Sequence, residues 1–113
     1  MVTSVGLNDI VDAWKERFSH LAVGSGTATP ALGDTALGSE ISRVTTVETV
    51  SGNQLTVEGF FPTTAGNGTV AECGLFDAAS SGDMDFRDLF VTPQTKGPTQ
   101  QMRVTIVFTV SNG

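Results

Sequence analysis

The pattern of apolar and polar positions divides the chain into a short helical segment and a longer series of strands. Near the N-terminus, apolar residues recur at helical spacing and form one stripe, which consists of Leu7, Ile10, Val11, Trp14 and Phe18. Charged residues fall largely on the other side, and Asn8 is of a type that caps helix N-termini. The spacing predicts a helix over about residues 8–19, packed on a sheet through its stripe.

From residue 20 onward the pattern is that of β-strands. The clearest strand is the last, in which every second residue is apolar over positions 102–110. Further strands are predicted over residues 20–23, 41–50, 55–61, 70–76 and 85–91, with a loop over 92–98. Turn signals about every 10–15 residues, without helices between them, favour an antiparallel β-sandwich over about residues 20–112. The fold class is therefore mainly β, in a single domain over residues 1–113 with one N-terminal α-helix packed against the sandwich.

Large aromatic side chains mark candidate interfaces. Phe60 and Phe61 are adjacent in a predicted strand, so they face opposite ways, and a sandwich strand needs only one buried face. One of the two rings is therefore expected in a subunit interface. Trp14 on the helical stripe is a second candidate, because aromatic residues anchor such contacts. Gly59 in the same strand indicates a bulge or a close neighbour.

Composition narrows the range of partners. The chain has 113 residues, a net charge of −6 and a pI of about 4.4. Such a surface repels nucleic-acid phosphates and anionic lipid, so neither nucleic acid nor membrane is expected as a partner. No apolar run approaches the roughly 18–20 residues of a membrane span. The start of the chain also lacks a basic region followed by an apolar block, as a secretion signal would have.

The residue types that carry chemistry are sparse. His20 is the only histidine and Cys73 the only cysteine, so a disulfide within the chain is excluded and a zinc site nearly so. Cys73 lies on the presumed inward face of its strand, which favours a buried, inert thiol. Asp83 and Asp85 could form an acid–base pair or part of a calcium site with Asp77 and Asp88, but the regular calcium-loop spacing is absent. Solvated turn carboxylates are the favoured interpretation, so no catalytic, cofactor-binding or metal-ligating residue is assigned and no enzyme activity is expected.

One segment resembles a known family. Residues 71–77 read Ala-Glu-Cys-Gly-Leu-Phe-Asp and resemble the E-x-G-L-F-D signature in the N-terminal attachment domain of phage tail-fibre (tail-collar) proteins. In that family a turn, a strand and a Pro/Lys segment follow, which residues 80–82, 89–91 and 93–98 match. Upstream the family carries a G-x-G loop, a proline and a T-x-L…E…R stretch. Their counterparts here are Gly24-Ser25-Gly26, Pro30, Thr35-Ala36-Leu37, Glu40 and Arg43, so the resemblance spans roughly residues 21–110.

Each residue of the signature also has a physical interpretation. Gly74 lets a neighbouring backbone or ring approach closely. Leu75 and Phe76 face opposite ways, so that one can fill the core and the other a second contact, and Phe76 is therefore a further candidate interface residue. Asp77 can begin the turn that follows. Glu72 is expected to pair with Arg43 or Arg87, and a buried charge of this kind specifies an arrangement more than it adds stability.

The resemblance implies a structural protein of a tailed virus particle. In tail fibres this domain anchors a long shaft, whereas this chain stops at Gly113, so a stand-alone baseplate, neck or fibre-adaptor protein is expected. It would be made in the host cytoplasm and would contact other virion proteins as a homo-oligomer, either a trimer or a ring. The alternatives are a decoration or turret protein of the head, a carbohydrate- or receptor-binding sandwich, and a small hydrolase that uses Asp83 and Asp85.

Overall fold

The chain folds into one helix and six antiparallel strands. The computed structural model describes residues 1–112. The helix α1 spans Ser4–Lys15, and the strands are β1 (His20–Gly24), β2 (Glu40–Ser51), β3 (Gln54–Phe61), β4 (Gly68–Phe76), β5 (Met84–Lys96) and β6 (Met102–Thr109). The strand order is β5-β4-β1-β2-β3-β6. The predicted class, mainly antiparallel β with one N-terminal helix, is confirmed.

The long strand β2 folds the sheet back on itself. Its first part pairs with β1 as far as Thr45, and its second part pairs with β3 from Thr46 onward. This change of partner brings the two end strands of the order, β5 and β6, towards each other, and the sheet is nearly closed. The rings of Phe86 on β5 and Phe108 on β6 meet edge to face at 5.2 Å between centroids. We call the gap between β5 and β6 the seam; Cys73, Phe86, Phe90, Val104 and Ile106 are among its lining residues.

The core lies inside the curved sheet. Alternation along β3 buries Leu55, Val57 and Phe61, and these pack with buried residues of β1 and β4. Burial of each such side chain contributes about 1.5–3 kcal/mol. A Cβ on Gly59 would lie 3.1 Å from Leu21 Cβ, and the strand register runs through Gly59 without a shift. Of the two predictions for this glycine, the close neighbour is therefore confirmed and the bulge is wrong.

The helix begins and ends earlier than predicted. Thr3 is its N-cap, and its side chain accepts a hydrogen bond from the Gly6 amide (3.3 Å), so Asn8 lies inside the helix and caps nothing. At the other end the Arg17 amide donates to the Trp14 carbonyl (3.0 Å), which tightens the last turn and leads Phe18 towards β1. The predicted range 8–19 is wrong because an earlier capping residue was available.

The helical stripe is narrower than the sequence indicated. Leu7, Val11 and Trp14 recur at i, i+4 and i+7 and are at least half-buried, whereas Ile10 is exposed. The Trp14 ring packs edge to face against Phe18 (5.5 Å) and Phe108 (5.8 Å). Within residues 1–112, no helix combines the length and the apolar character needed to cross a membrane.

Strand β5 continues through most of the segment predicted as a loop over residues 92–98. Pairing with β4 shifts register, so that Glu72 pairs with Leu89 and Val70 with Gln94. The intervening part of β5 bulges away from β4, and Pro93 lies in it. Because Pro93 has no ladder partner there, its missing amide costs no hydrogen bond and the strand can resume.

Candidate functional site

The residues of the E-x-G-L-F-D segment lie on the two faces of β4. Cys73 and Leu75 face the core, whereas Glu72, Gly74 and Phe76 face outward. The outer face is not open to solvent, because the segment that joins β1 to β2, which we call loop 25–39, lies over it. Leu37 of this loop forms a second apolar cluster with Ala22 and Phe76, and Met84 packs against it.

The carboxylate of Glu72 is fully buried beneath loop 25–39. Its Oε2 accepts hydrogen bonds from the amides of Gly26 (2.6 Å) and Ser39 (2.9 Å). Its Oε1 accepts from the Gly38 amide (2.8 Å) and from Arg87 Nε (3.1 Å). We call these five residues the Glu72 network. A carboxylate offers about four acceptor sites, so this one is saturated.

Arg87 connects the Glu72 network to the rest of the loop. Its Nη1 donates to Asp34 Oδ2 (3.0 Å) and its Nη2 to the Ala28 carbonyl (2.9 Å). Of the two arginines predicted as partners of Glu72, the structure pairs Arg87 with it. The guanidinium thus holds two points of loop 25–39 while it neutralises the buried charge.

Glycines are required where the loop backbone approaches Glu72. A Cβ added to Gly26 would lie within 3 Å of the Glu72 carboxylate, and one added to Gly24 would meet both that carboxylate and the Ser39 carbonyl. The Gly24-Ser25-Gly26 sequence is therefore explained by the close approach of backbone to an internal carboxylate. Gly74 is similarly constrained, because a Cβ there would lie 2.9 Å from Leu37 Cδ2.

The second arginine of the prediction, Arg43, holds the turn between β4 and β5. Its guanidinium lies 3.7 Å from the centre of the Phe76 ring and pairs with Glu40 at 2.7 Å. Its Nη1 also donates to the carbonyls of Ala78 (2.8 Å) and Ser81 (2.9 Å). Phe76 is only 2% exposed, so the ring proposed from sequence as an interface residue is instead used within the chain.

Asp77 begins this turn, as predicted. Its Oδ1 accepts a hydrogen bond from the Asp83 amide (2.8 Å), and its own amide donates to the Asp83 carbonyl (3.2 Å). The interpretation of Asp77 as a turn carboxylate is thereby confirmed. Asp85 lies beyond the turn at an irregularity of β5, and its Oδ2 is buried without a hydrogen-bond partner among residues 1–112.

Burial and hydrogen bonding set the protonation of these groups. Burial raises the pKa of Glu72, but hydrogen bonds from Ser39, Gly38, Gly26 and Arg87 outweigh it, and the pKa is lower than usual. Burial raises the pKa of Asp85, with Asp77 and Asp83 adding to this and Arg17 opposing it. Glu72 is therefore ionised at neutral pH with all its acceptor sites in use, which suits a structural anchor better than a proton-transfer group.

The remaining candidates for chemistry lie apart from the Glu72 network. Burial, aided by the negative charge of Asp88, raises the pKa of Cys73 to about 11. His20 shares a hydrogen bond with the neighbouring Ser19 hydroxyl (2.7 Å). No cluster of three or more His, Cys, Asp or Glu side chains suited to a metal ion occurs in the part of the chain that the structure describes.

The interface candidates have distinct positions. Phe61 is fully buried, whereas Phe60 on the opposite side of β3 is 46% exposed, as the prediction of opposite orientations requires. Trp14 is half-buried because its ring packs within the chain. Of these candidates, Phe60 offers the most exposed ring. The backbone donors Gly38 and Ser39 were not predicted; the one signal in the sequence was Glu72 itself, the single charged residue of β4, whose burial requires hydrogen-bond donors.

No family model matches the chain, and no curated protein matches it either.

Proposed function

We propose that this chain is a structural component of a tailed virus particle, a baseplate, neck or fibre-adaptor protein that works through contacts with other virion proteins. The observation that carries this proposal is that the separate segments of the tail-collar resemblance pack together. Glu72 of the signature receives amides from Gly26, Gly38 and Ser39, which lie 33 to 46 residues away in sequence.

The same holds for the other matched segments. Leu37 of the Thr35-Ala36-Leu37 stretch packs with Phe76 of the signature. Arg43 covers Phe76 and binds the turn that Asp77 begins. The matched residues thus form one packed unit, as expected if the likeness reflects a shared fold and not scattered chance identities.

A role in contact and not in catalysis follows from the chemistry of this unit. The charged groups of the Glu72 network satisfy one another. The thiol of Cys73 is buried with a raised pKa. These groups stabilise the structure of the surface and leave no free nucleophile or base at the centre of the E-x-G-L-F-D segment. We therefore propose a protein that is not an enzyme, that assembles as a homo-oligomer from a pool in the host cytoplasm, and that needs neither nucleic acid nor membrane.

The alternatives differ in what they require. A head decoration or turret protein would use the same kind of contacts at another place in the particle. A carbohydrate-binding sandwich would need several exposed aromatic platforms, but the chain has no tyrosine, its only tryptophan, Trp14, packs edge to face against two phenylalanines, and Phe60 is the one exposed aromatic residue among residues 1–112. The contact role is therefore preferred over sugar binding.

Labelling of purified particles tests the proposal. Particles from the host that carries the gene would be banded by density and examined for this chain by mass spectrometry. Antibody-gold labelling in negative stain would then locate it, with antibody pre-absorbed on the recombinant chain as control. Label at the tail tip, neck or fibre base is the expected result, and label spread over the shell would favour the head alternative. Absence of the chain from intact particles would contradict both.

A further inference from the structure

The outer face of the sheet formed by β2, β3 and β6 is exposed and lacks the acidic character of the rest of the chain. Alternation along these strands directs one residue in two outward, beginning with Thr45 on β2. Three large apolar side chains are exposed on it: Val47 (66%), Phe60 (46%) and Val107 (55%). The other outward positions of this face are mainly threonines.

Charge distinguishes this face from the remainder of the surface. The chain carries a net charge of −6, yet the outward positions of the second half of β2, of β3 and of β6 include one acidic residue, Glu58, and one basic residue, Arg103. The formal charge of the face is therefore zero. Two copies of an acidic chain repel each other on most approaches, so a charge-balanced surface is where they can meet at least electrostatic cost.

The strand register makes this face complementary to itself. Phe60 pairs with Arg103, and Glu58 pairs with Thr105, so these four residues occupy the corners of a parallelogram on neighbouring strands. A two-fold axis along the diagonal from Phe60 to Thr105 would bring the position of Glu58 to within about 3 Å of the partner's Arg103 position, since strands lie about 4.8 Å apart and alternate residues of a strand about 6.8 Å apart. In a pair of copies related by that axis, Glu58 faces the partner's Arg103, the reciprocal pair forms as well, and Phe60 faces the partner's Phe60.

The ion pair within one chain is loose enough to be exchanged. Arg103 Nε lies 3.9 Å from Glu58 Oε2, and the two side chains are 66% and 42% exposed. Exposed pairs of this kind contribute little to the stability of a single chain. Both side chains are thus free to turn towards a partner, where burial around the Phe60 rings would reduce their screening.

We propose that the outer face of β2, β3 and β6 is the contact between two copies of this chain, related by a two-fold axis near Phe60. The partner on this face is a second copy of the chain, because a two-fold contact needs a surface that is complementary to itself, and the neutral face with its Glu58 and Arg103 supplies that complementarity. This inference goes beyond the proposed function and does not rest on it, since a chain can pair in this way in any assembly. The contact is closed, so a ring would need a further, different contact.

Charge reversal distinguishes the proposed contact between two copies from the Glu58–Arg103 ion pair within one chain. Glu58→Arg gives a face with two positive side chains, and Arg103→Glu gives one with two negative side chains. Each variant alone should self-associate at least ten-fold more weakly than the wild-type chain by sedimentation equilibrium. An equimolar mixture of the two should form a heterodimer, because each positive side chain then faces a negative one across the axis.

Two further variants and a spectrum complete the test. Phe60→Ser should weaken self-association as well, whereas Val91→Asp, at a fully exposed apolar residue on the bulged part of β5, should leave it unchanged. Circular dichroism would establish that each variant is folded. A wild-type chain that sediments as an 11.8 kDa monomer up to about 1 mM overturns the proposal. Folded single variants that associate like the wild type, or that fail to pair when mixed, overturn it as well.

Discussion

At the scale of single residues, Glu72 has the most demanding position in this fold. An ionised carboxylate away from water is stable only if hydrogen bonds and an opposite charge compensate for the lost solvation. The Glu72 network supplies three backbone amides and one guanidinium. A buried ion pair of this kind adds little net stability, whereas removal of one partner costs much more free energy. The main effect of the Glu72 network is therefore to fix the position of loop 25–39.

Glu72→Gln should therefore destabilise the chain strongly. The amide keeps one acceptor but turns its NH₂ group towards N–H donors, so we expect a loss of about 3–5 kcal/mol in the free energy of unfolding. Glu16→Gln is the matched control, because Glu16 is exposed at the end of α1 and its substitution should change the free energy of unfolding by less than about 0.5 kcal/mol. Urea denaturation of the three chains at pH 7 measures both values, and equal losses would contradict the anchoring role of Glu72.

The difference in unfolding free energy between the wild-type chain and Glu72→Gln should also depend on pH. The pKa of Glu72 is lowered in the folded chain, so its contribution to stability is fully present above the ordinary glutamate pKa of about 4.3. It is lost as the pH falls through the lower pKa of the folded state. The difference in unfolding free energy between wild type and Glu72→Gln should thus shrink when denaturation is repeated at progressively lower pH. A difference that stays constant or grows on acidification would contradict this.

The glycines around Glu72 give a second prediction at the residue scale. Gly26→Ala places a Cβ within 3 Å of the Glu72 carboxylate and of Gly38 Cα, so we expect a loss of about 1–3 kcal/mol from overpacking and displaced hydrogen bonds. Gly33→Ala in the same loop meets no atom within 4 Å and should be neutral or slightly stabilising. Thermal unfolding followed by circular dichroism compares the two, and similar melting temperatures would be the contrary result.

At the scale of elements, α1 is held mainly by a few side chains that reach the sheet. Val11 is fully buried on its sheet-facing side, while Ile10, one position away, is exposed. Trp14 extends the contact through its rings with Phe18 and Phe108. Since a helix of 12 residues is marginal on its own, this packing is what keeps α1 folded.

A pair of truncations in α1 tests this. Val11→Ala removes two buried methyl groups and should lower the free energy of unfolding by about 2 kcal/mol. Ile10→Ala removes a larger but exposed side chain from a helix interior and should change it by less than about 0.5 kcal/mol. Trp14 is the only tryptophan, so its fluorescence reports the transition in both variants. A larger loss of unfolding free energy for Ile10→Ala than for Val11→Ala would contradict this packing, because it would place Ile10 on the side of α1 that faces the sheet.

At the scale of the whole molecule, the seam between β5 and β6 decides how well the core is closed. The sheet order places these strands at its two ends, and aromatic packing of Phe86 on Phe108 bridges the gap. Cys73 lines the seam from β4, is nearly buried, and is the single thiol of the chain. Its reactivity therefore reports whether the seam opens.

We expect the native thiol to react at least about ten-fold more slowly than that of the unfolded chain at pH 8, because a pKa of about 11 leaves little thiolate and the greater nucleophilicity of that thiolate offsets this only in part. Burial in the seam slows it further. The measurement is the rate of reaction with a disulfide reagent, in buffer and in increasing urea. Phe108→Ala should raise the rate in buffer by loosening the seam, whereas Val47→Ala, at an exposed residue of β2 that does not line the seam, should not. Comparable rates for native and unfolded wild-type chain would contradict a closed seam.

Much of the fold could be predicted because strand patterns are local. The alternation in β6 and the hairpin between β2 and β3 follow from residues a few positions apart. The ends of the helix were harder to predict, because Thr3 and Asn8 are both of a type that caps helices and only packing selects between them. The continuation of β5 past Pro93 was missed, because a bulge depends on the partner strand.

By itself, the sequence determined the antiparallel β class, the N-terminal helix, the opposite orientations of Phe60 and Phe61, and the turn at Asp77. These depend on periodicity and on local backbone preferences. Only the tertiary structure decided that Glu72 pairs with Arg87, that Phe76 is covered by Arg43, and that Glu58 and Arg103 lie together on a neutral face. The reason is that these contacts join residues 15 to 45 positions apart, and the change of partner along β2, the register shifts of β5 and the course of loop 25–39 decide which of them meet.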